Sequence, residues 1–272
     1  MSQIFEKLPM EGVKNIIVVA SGKGGVGKST VAANLAVSMA RNGYKTALVD
    51  ADIYGPSIPR MFGIEDAKPD VTAFGDKELM FPIEKFGVMI MSIGFFIDRN
   101  QSLIWRGPMA ANAVTQLFEN TEWDDIDYMF VDFPPGTGDI QLTTIQKLNV
   151  TGAIIVTTPQ EIALNDARKA TSMFTNPDLK VPVIGIIENM SWFTPQQHPD
   201  EKYYIFGKGG GHKMAIEFNT MLLGQIPLVS EVGEAAEKGL SVFSQTSKQV
   251  VDAFEKIAEL IISKVEVKNC PS

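Results

Sequence analysis

Cysteine occurs once in this chain, at Cys270, and histidine twice, at His198 and His212. One thiol excludes an internal disulfide and the disulfide-braced secreted scaffolds, and fits a reducing cytoplasm. No apolar run approaches the roughly 18–20 residues of a membrane-spanning helix. Residues 1–14 carry Glu6 and Glu11 and no apolar core, so no secretory leader is expected. Cationic excess is missing too: the net charge is −8, which argues against a broad nucleic-acid-binding face. Tandem repeats and low-complexity linkers are absent from the pattern.

What is present is a chain of 272 residues, 45% hydrophobic, long enough for one large domain. Strand-like apolar runs fall at 15–21, 45–50, 87–93, 127–132, 152–157, 182–187 and 222–226. Helical patterns fall at 29–41, 109–119, 139–148, 161–174, 211–220 and 246–265. Such alternation predicts an α/β fold: a mostly parallel sheet with helices on both faces, its ligands beyond the carboxyl ends of the strands. The expected organisation is a lead-in over 1–14, one domain over 15–266 and a tail over 267–272. Phe74-Gly75-Asp76-Lys77 reads as a hairpin turn, and Met80-Phe81-Pro82 as an edge segment. Met89, Met91, Phe95 and Phe96 read as core or covered edge rather than a partner surface. The last helix places Val250, Phe254, Ile257, Ile261 and Val265 on one stripe. Its polar face mixes acids and lysines, so it reads as docked on the domain, not on a membrane.

The residues that carry chemistry begin after the first strand. Gly22, Lys23, Gly24, Gly25, Val26, Gly27, Lys28 and Ser29 fit G-x-x-x-x-G-K-[ST] between a β-branched run and a helix. The glycines let backbone N–H groups approach phosphates, and the helix start adds positive potential. Lys28 is expected on the β- and γ-phosphates, Ser29 on Mg²⁺ and Thr30 near the α-phosphate. Val49-Asp50-Ala51-Asp52 ends a second apolar strand. Asp50 is read as holding water on the metal, and Asp52 as orienting the attacking water. Asp132 closes Tyr128-Met129-Phe130-Val131 in a Walker B pattern and is assigned to Mg²⁺ through water and Ser29. Gly136 is read as offering its N–H to the γ-phosphate, and Asp139 as a helix N-cap. Asn189 is a candidate reader of the adenine edge and Pro227 a wall of the base pocket. Lys23, Lys28, Asp52 and Asp132 form the catalytic set, and the reaction they suit is phosphoryl transfer to water.

Together these segments resemble the deviant Walker A class, MinD-like P-loop NTPases of SIMIBI type, and within it the Mrp/ApbC group of iron–sulfur cluster carriers. The resemblance rests on Ser21–Thr30, Asp50-Ala51-Asp52-Ile53-Tyr54-Gly55-Pro56-Ser57, Trp105-Arg106-Gly107-Pro108-Met109 and Pro134-Pro135-Gly136-Thr137-Gly138-Asp139. It continues through Glu188-Asn189-Met190-Ser191, Ile205-Phe206-Gly207 and Leu223-Gly224-Gln225-Ile226-Pro227. It implies a homodimer that binds and hydrolyses ATP slowly, with Lys23 reaching the partner subunit's nucleotide. It further implies delivery of an iron–sulfur cluster to apoprotein clients, with no membrane or nucleic-acid partner. The other readings on this scaffold are a MinD/ParA-like positional switch and a metabolic kinase. One departure stands out. The family's Cys-x-x-Cys, expected between the Asn-Met-Ser and Ile-Phe-Gly strings, is replaced by Trp192–Tyr204, which contains His198 and no cysteine. Cys270 reads as a free tail thiol and His198 as a solvated loop residue.

Overall fold

The computed structural model describes residue 7 and residues 10–75, 77–97, 107–195, 197–198, 200–245 and 248–269. Trp105, Arg106 and Cys270 lie outside the described residues. In chain order the elements are β1 (Val13–Ala20), α1 (Lys28–Arg41), β2 (Thr46–Asp50), α2 (Ile58–Met61), β3 (Val71–Phe74), β4 (Lys77–Met80), β5 (Ile83–Lys85) and β6 (Val88–Ser92). A 3₁₀ turn at Ile93–Phe95 leads toward α3 (Gly107–Glu119), β7 (Ile126–Asp132), α4 (Asp139–Lys147), β8 (Gly152–Thr157) and α5 (Glu161–Thr175). The chain continues through β9 (Val183–Glu188), α6 (Gly210–Glu217), β10 (Leu222–Gln225), α7 (Ser230–Glu237), α8 (Val242–Gln245) and α9 (Lys248–Asn269).

Among the described residues the main sheet has eight strands in the order β10-β9-β8-β1-β7-β2-β6-β5. All neighbours are parallel except β5, which runs antiparallel to β6 at one edge. β2, β8 and the run from Asn15 to Ala20 in β1 are buried at every position, as strands covered on both faces must be. β1 sits between β7 and β8, so the loop that leaves it emerges among the ends of its neighbours. The register aligns Val19 with Asp132, Asp132 with Asp50, and Asp50 with Ser92. One row across four strands thus brings two carboxylates together beside the glycine loop. This is the α/β, mostly parallel architecture expected from the sequence.

The hairpin forms as expected, with Phe74 paired to Lys77. Met91 and Phe95 are core, Met89 packs against it, and Phe96 is exposed. The α9 stripe Val250, Phe254, Ile257, Ile261 and Val265 is buried throughout, and α9 packs on α1 and β10. Gly224 makes that seat possible, because a Cβ there would lie 2.5 Å from Ile257 Cγ1. Each buried side chain of this size contributes about 1.5–3 kcal/mol. Three short helices, α2, α7 and α8, lie outside the expected set. α2 and α8 span one turn each, and α7 buries only Ala235, so none carries an apolar period long enough to read. The helix expected at 211–220 is Gly210–Glu217, ended by Asn219 at φ 48°. Asp139 is the first residue of α4, with Gly138 at the cap; its acid lies in the first turn, where it favours the helix dipole. No helix among the described residues is long and apolar enough to cross a membrane.

Candidate nucleotide site

The loop from Ser21 to Gly27 is shaped by close approach and by left-handed backbone. Gly25 and Gly27 have φ of 82° and 81°, which other residues adopt only under strain. Gly27 caps α1, and its carbonyl accepts from Val31 N–H at 2.9 Å. Gly22 lies against the backbone of α5: a Cβ there would stand 2.0 Å from the carbonyl carbon of Asp166. Gly24 and Gly25 are exposed at the loop crown. Lys23 and Thr30 are half-buried at its two ends.

Lys28 begins α1 with its side chain only 6% exposed. Its ammonium pairs with Asp132 Oδ1, lies 3.8 Å from Asp52 Oδ2, and donates to Ser29 Oγ at 3.2 Å. The neighbouring Ser29 hydroxyl also favours the charged form of Asp132. The sequence-assigned Lys28, Ser29, Asp52 and Asp132 therefore meet at one point. Burial pushes Asp132 above the usual carboxylate range, and the Lys28 ammonium opposes that push. Two buried oxygens, Asp52 Oδ1 and Asp132 Oδ2, have no protein partner.

The unpartnered Asp132 oxygen and the Ser29 hydroxyl offer oxygen donors, the chemistry of a hard cation such as Mg²⁺, and leave the free Asp52 oxygen for water. No three His, Cys, Asp or Glu side chains among the described residues converge on a metal position. That is compatible with Mg²⁺ at a nucleotide, which takes one or two protein ligands and fills the rest with phosphate and water. The residues present fit the ion.

Asp50 requires a correction. Its Oδ1 accepts from Asp52 N–H at 3.2 Å, and its Oδ2 from Ile58 N–H at 3.1 Å and the Ser92 hydroxyl at 3.0 Å. Both oxygens are occupied in pinning the loop that carries Asp52, so the contacts make Asp50 a positioning group rather than a holder of metal-bound water. Fully buried, and facing the charge of Asp132, it is raised to about 7 despite its three donors. The folded state therefore favours its protonated form. That contribution is complete below about pH 4 and is lost as pH rises through about 7. The unfolding free energy of the nucleotide-free protein is expected to fall across this window, by up to about 4 kcal/mol at full linkage. Asp50→Asn should flatten the slope between pH 4 and 7 in urea titrations; an unchanged slope would assign it to another group.

Gly136 is a second correction. It has the expected left-handed φ of 98°, yet its N–H donates to the Ser21 carbonyl at 2.9 Å. The N–H expected on the γ-phosphate is spent on tying the Walker B segment to the glycine loop. Asn189 is buried, and its Nδ2 donates to the Val26 carbonyl at 2.9 Å. Part of its amide thus braces the loop from below, at the point where a Cβ on Gly27 would meet it at 2.3 Å. Pro227 is buried beside it: Ile226 N–H donates to the Glu188 carbonyl, and Ser191 N–H to the Ile226 carbonyl.

Glu188 was not anticipated. It is fully buried, and its carboxylate accepts from Ser191 Oγ at 2.9 Å, Gln225 Nε2 at 2.6 Å and Gly211 N–H at 2.6 Å. It clamps the end of β9 to β10 and to the start of α6, and so fixes Asn189 and Pro227 relative to each other. The sequence signal was available: an acid closing an apolar strand, as at Asp50 and Asp132. His198 is exposed, with Nδ1 3.5 Å from Glu201.

Comparison with known proteins gives this fold and loop a family. A model of the ParA family, described as NUBPL iron-transfer P-loop NTPase, matches residues 12–262. The iron–sulfur cluster carrier protein of Aquifex aeolicus (strain VF5) is 46% identical over 267 residues, 97% of this chain and 72% of that protein. The iron–sulfur cluster carrier protein of Escherichia coli (strain K12) is 45% identical over 257 residues, 94% of this chain and 68% of that protein. Among solved structures, a nucleotide-binding protein of Archaeoglobus fulgidus in complex with ADP superposes with a TM-score of 0.72 at 36% identity, covering 85% of this chain and 88% of that one. The cell division ATPase MinD of Pyrococcus furiosus shares the fold, with a TM-score of 0.64 at 21% identity over 92% of this chain and 98% of that one. With the loop, the paired acids and the sheet order all in place, the chain belongs to the ParA family, in its iron-transfer P-loop NTPase branch.

Proposed function

We propose that this protein binds Mg-ATP, hydrolyses it slowly, and works as a homodimer in the delivery of iron–sulfur clusters to apoproteins. The observation that carries the ATPase reading is Lys28, buried with Asp132 and Asp52 at the mouth of a left-handed glycine loop. Names of close relatives support the delivery role. In this reading the backbone N–H groups of Gly24 to Ser29 cradle the phosphates. Lys28 exchanges its carboxylate partner for the β- and γ-phosphates. Magnesium, held by Ser29 and through water by Asp132, would neutralise charge on those phosphates when bound. Asp52, fixed by Asp50 through its backbone, orients the attacking water. Asn189 and Pro227 flank the base. Catalysis is positioning and charge stabilisation, with no covalent enzyme intermediate.

Lys23 stands half-buried at the loop entrance and is assigned to the partner's nucleotide. Phosphate release tests this directly. Lys23→Ala and Lys28→Ala proteins should each be nearly inactive. Mixed in equal amounts, half the dimers carry one complete site of two, restoring about a quarter of wild-type activity. Full activity of Lys23→Ala alone would remove Lys23 from the site. For the delivery role, the measured quantity is the rate at which a loaded [4Fe–4S] protein reactivates an apo-ferredoxin. Acceleration that requires both this protein and Mg-ATP is expected, and its absence would reject delivery while leaving the ATPase intact.

A further inference from the structure

The delivery reading meets a shortage of ligands. A [4Fe–4S] cluster is held by four thiolates. The 272 residues contain one cysteine, Cys270, so two copies offer at most two thiolates. The softer alternatives do not assemble. His198 is exposed on a loop and His212 is exposed on α6. No three His, Cys, Asp or Glu side chains come together among the described residues.

The loop between β9 and α6 is closed by other means. Phe193 N–H donates to the Tyr203 carbonyl at 2.9 Å and Tyr203 N–H returns to the Phe193 carbonyl at 2.8 Å. The Lys202 ammonium stacks on the Trp192 ring, 3.9 Å from its centroid. A β-bridge and a cation–π contact thus tie the two ends of this segment together.

We infer that a cluster handled by this protein is carried on thiolates supplied by a second, cysteine-bearing protein. Resting on the delivery reading, this assigns the chain the ATP-driven step and assigns the partner at least two of the four cluster ligands. Transfer to a client is then ligand exchange. Each iron–thiolate bond to the partner that breaks is matched by one formed to the client. The client thiol gives up its proton as it binds iron, the released thiolate takes one up, and the cluster's oxidation state does not change.

The test is anaerobic reconstitution of the purified full chain with ferrous iron and sulfide, followed by desalting and iron counting. Wild type and Cys270→Ser are both expected to retain well under one iron per chain, without thiolate-to-iron absorption. Thr194→Cys/Gln197→Cys installs two thiols across the turn at Pro195, where His198 N–H donates to the Pro195 carbonyl at 3.0 Å. This double variant should retain about two iron atoms per chain, one cluster shared by two copies. A wild-type protein that keeps about two iron atoms per chain would overturn the inference while leaving delivery standing. A double variant as empty as wild type would also count against it, since thiols would then not be what is missing. Loss of ATP-dependent transfer in the loaded-donor assay, with wild type empty, would instead sink the delivery reading.

Discussion

If Lys28 serves the proposed ATPase, Lys28→Ala is expected to lower ATP turnover by at least about 100-fold, the cost of removing a charge aimed at the transferring phosphoryl group. The same substitution should damage the fold. Asp132 is fully buried, and Lys28 is the cation that faces it. Breaking a buried pair from one side costs about 3–5 kcal/mol, less whatever the acid recovers by taking a proton. The two effects can be separated. Lys28→Ala/Asp132→Asn removes the stranded charge, so urea denaturation should show most of the lost stability returned. Phosphate release should stay at the level of the single variant. Activity in Lys28→Ala within a few-fold of wild type would dismantle the site assignment.

The second large effect is at Gly22. Gly22→Ala should cost more than about 3 kcal/mol and abolish nucleotide binding, because neither colliding partner can rotate away. The added methyl would overlap the backbone of Asp166 and Ala167, at 2.0–2.3 Å. Either α5 moves off β8 or the glycine loop is displaced. Gly24→Ala is the control two residues away. There the new Cβ meets only Pro135 Cγ at 3.8 Å, so stability should change by less than about 1 kcal/mol. Equal stability losses at the two positions would mean that loop flexibility, not the α5 contact, sets the requirement for glycine.

The contrast between these glycines shows what the sequence could and could not convey. The strand, loop and helix around Lys28 were legible because composition and spacing are local. Strand ends at Asp50 and Asp132 were legible for the same reason. The roles of Asp50 and Gly136 were not, because each depends on what the backbone does many residues away. Asp50 is claimed by Ile58 N–H and the Ser92 hydroxyl, and Gly136 by the Ser21 carbonyl. Asn189 bracing Val26 spans 163 residues, and no periodicity records such a contact. Glu188 carries the same strand-ending signature as the two aspartates. Its role is not legible because its partners, Gly211 and Gln225, lie 23 and 37 residues away. The short helices α2 and α7 were missed because tertiary packing, rather than an apolar period, holds them.

The seam between α9 and α1 has a consequence for how the molecule is made. α1 begins with Lys28, yet its flank is covered by α9, the last of the described helices; Arg41 lies 3.9 Å from Glu255 and 4.9 Å from the Phe243 ring centroid. During synthesis, the glycine-loop segment therefore emerges well before the helix that shelters it. On a ribosome its apolar side stays open to solvent until Val265 has cleared the exit tunnel. A nascent chain truncated before Val250 should be captured by chaperones instead of maturing into an ATP-competent domain.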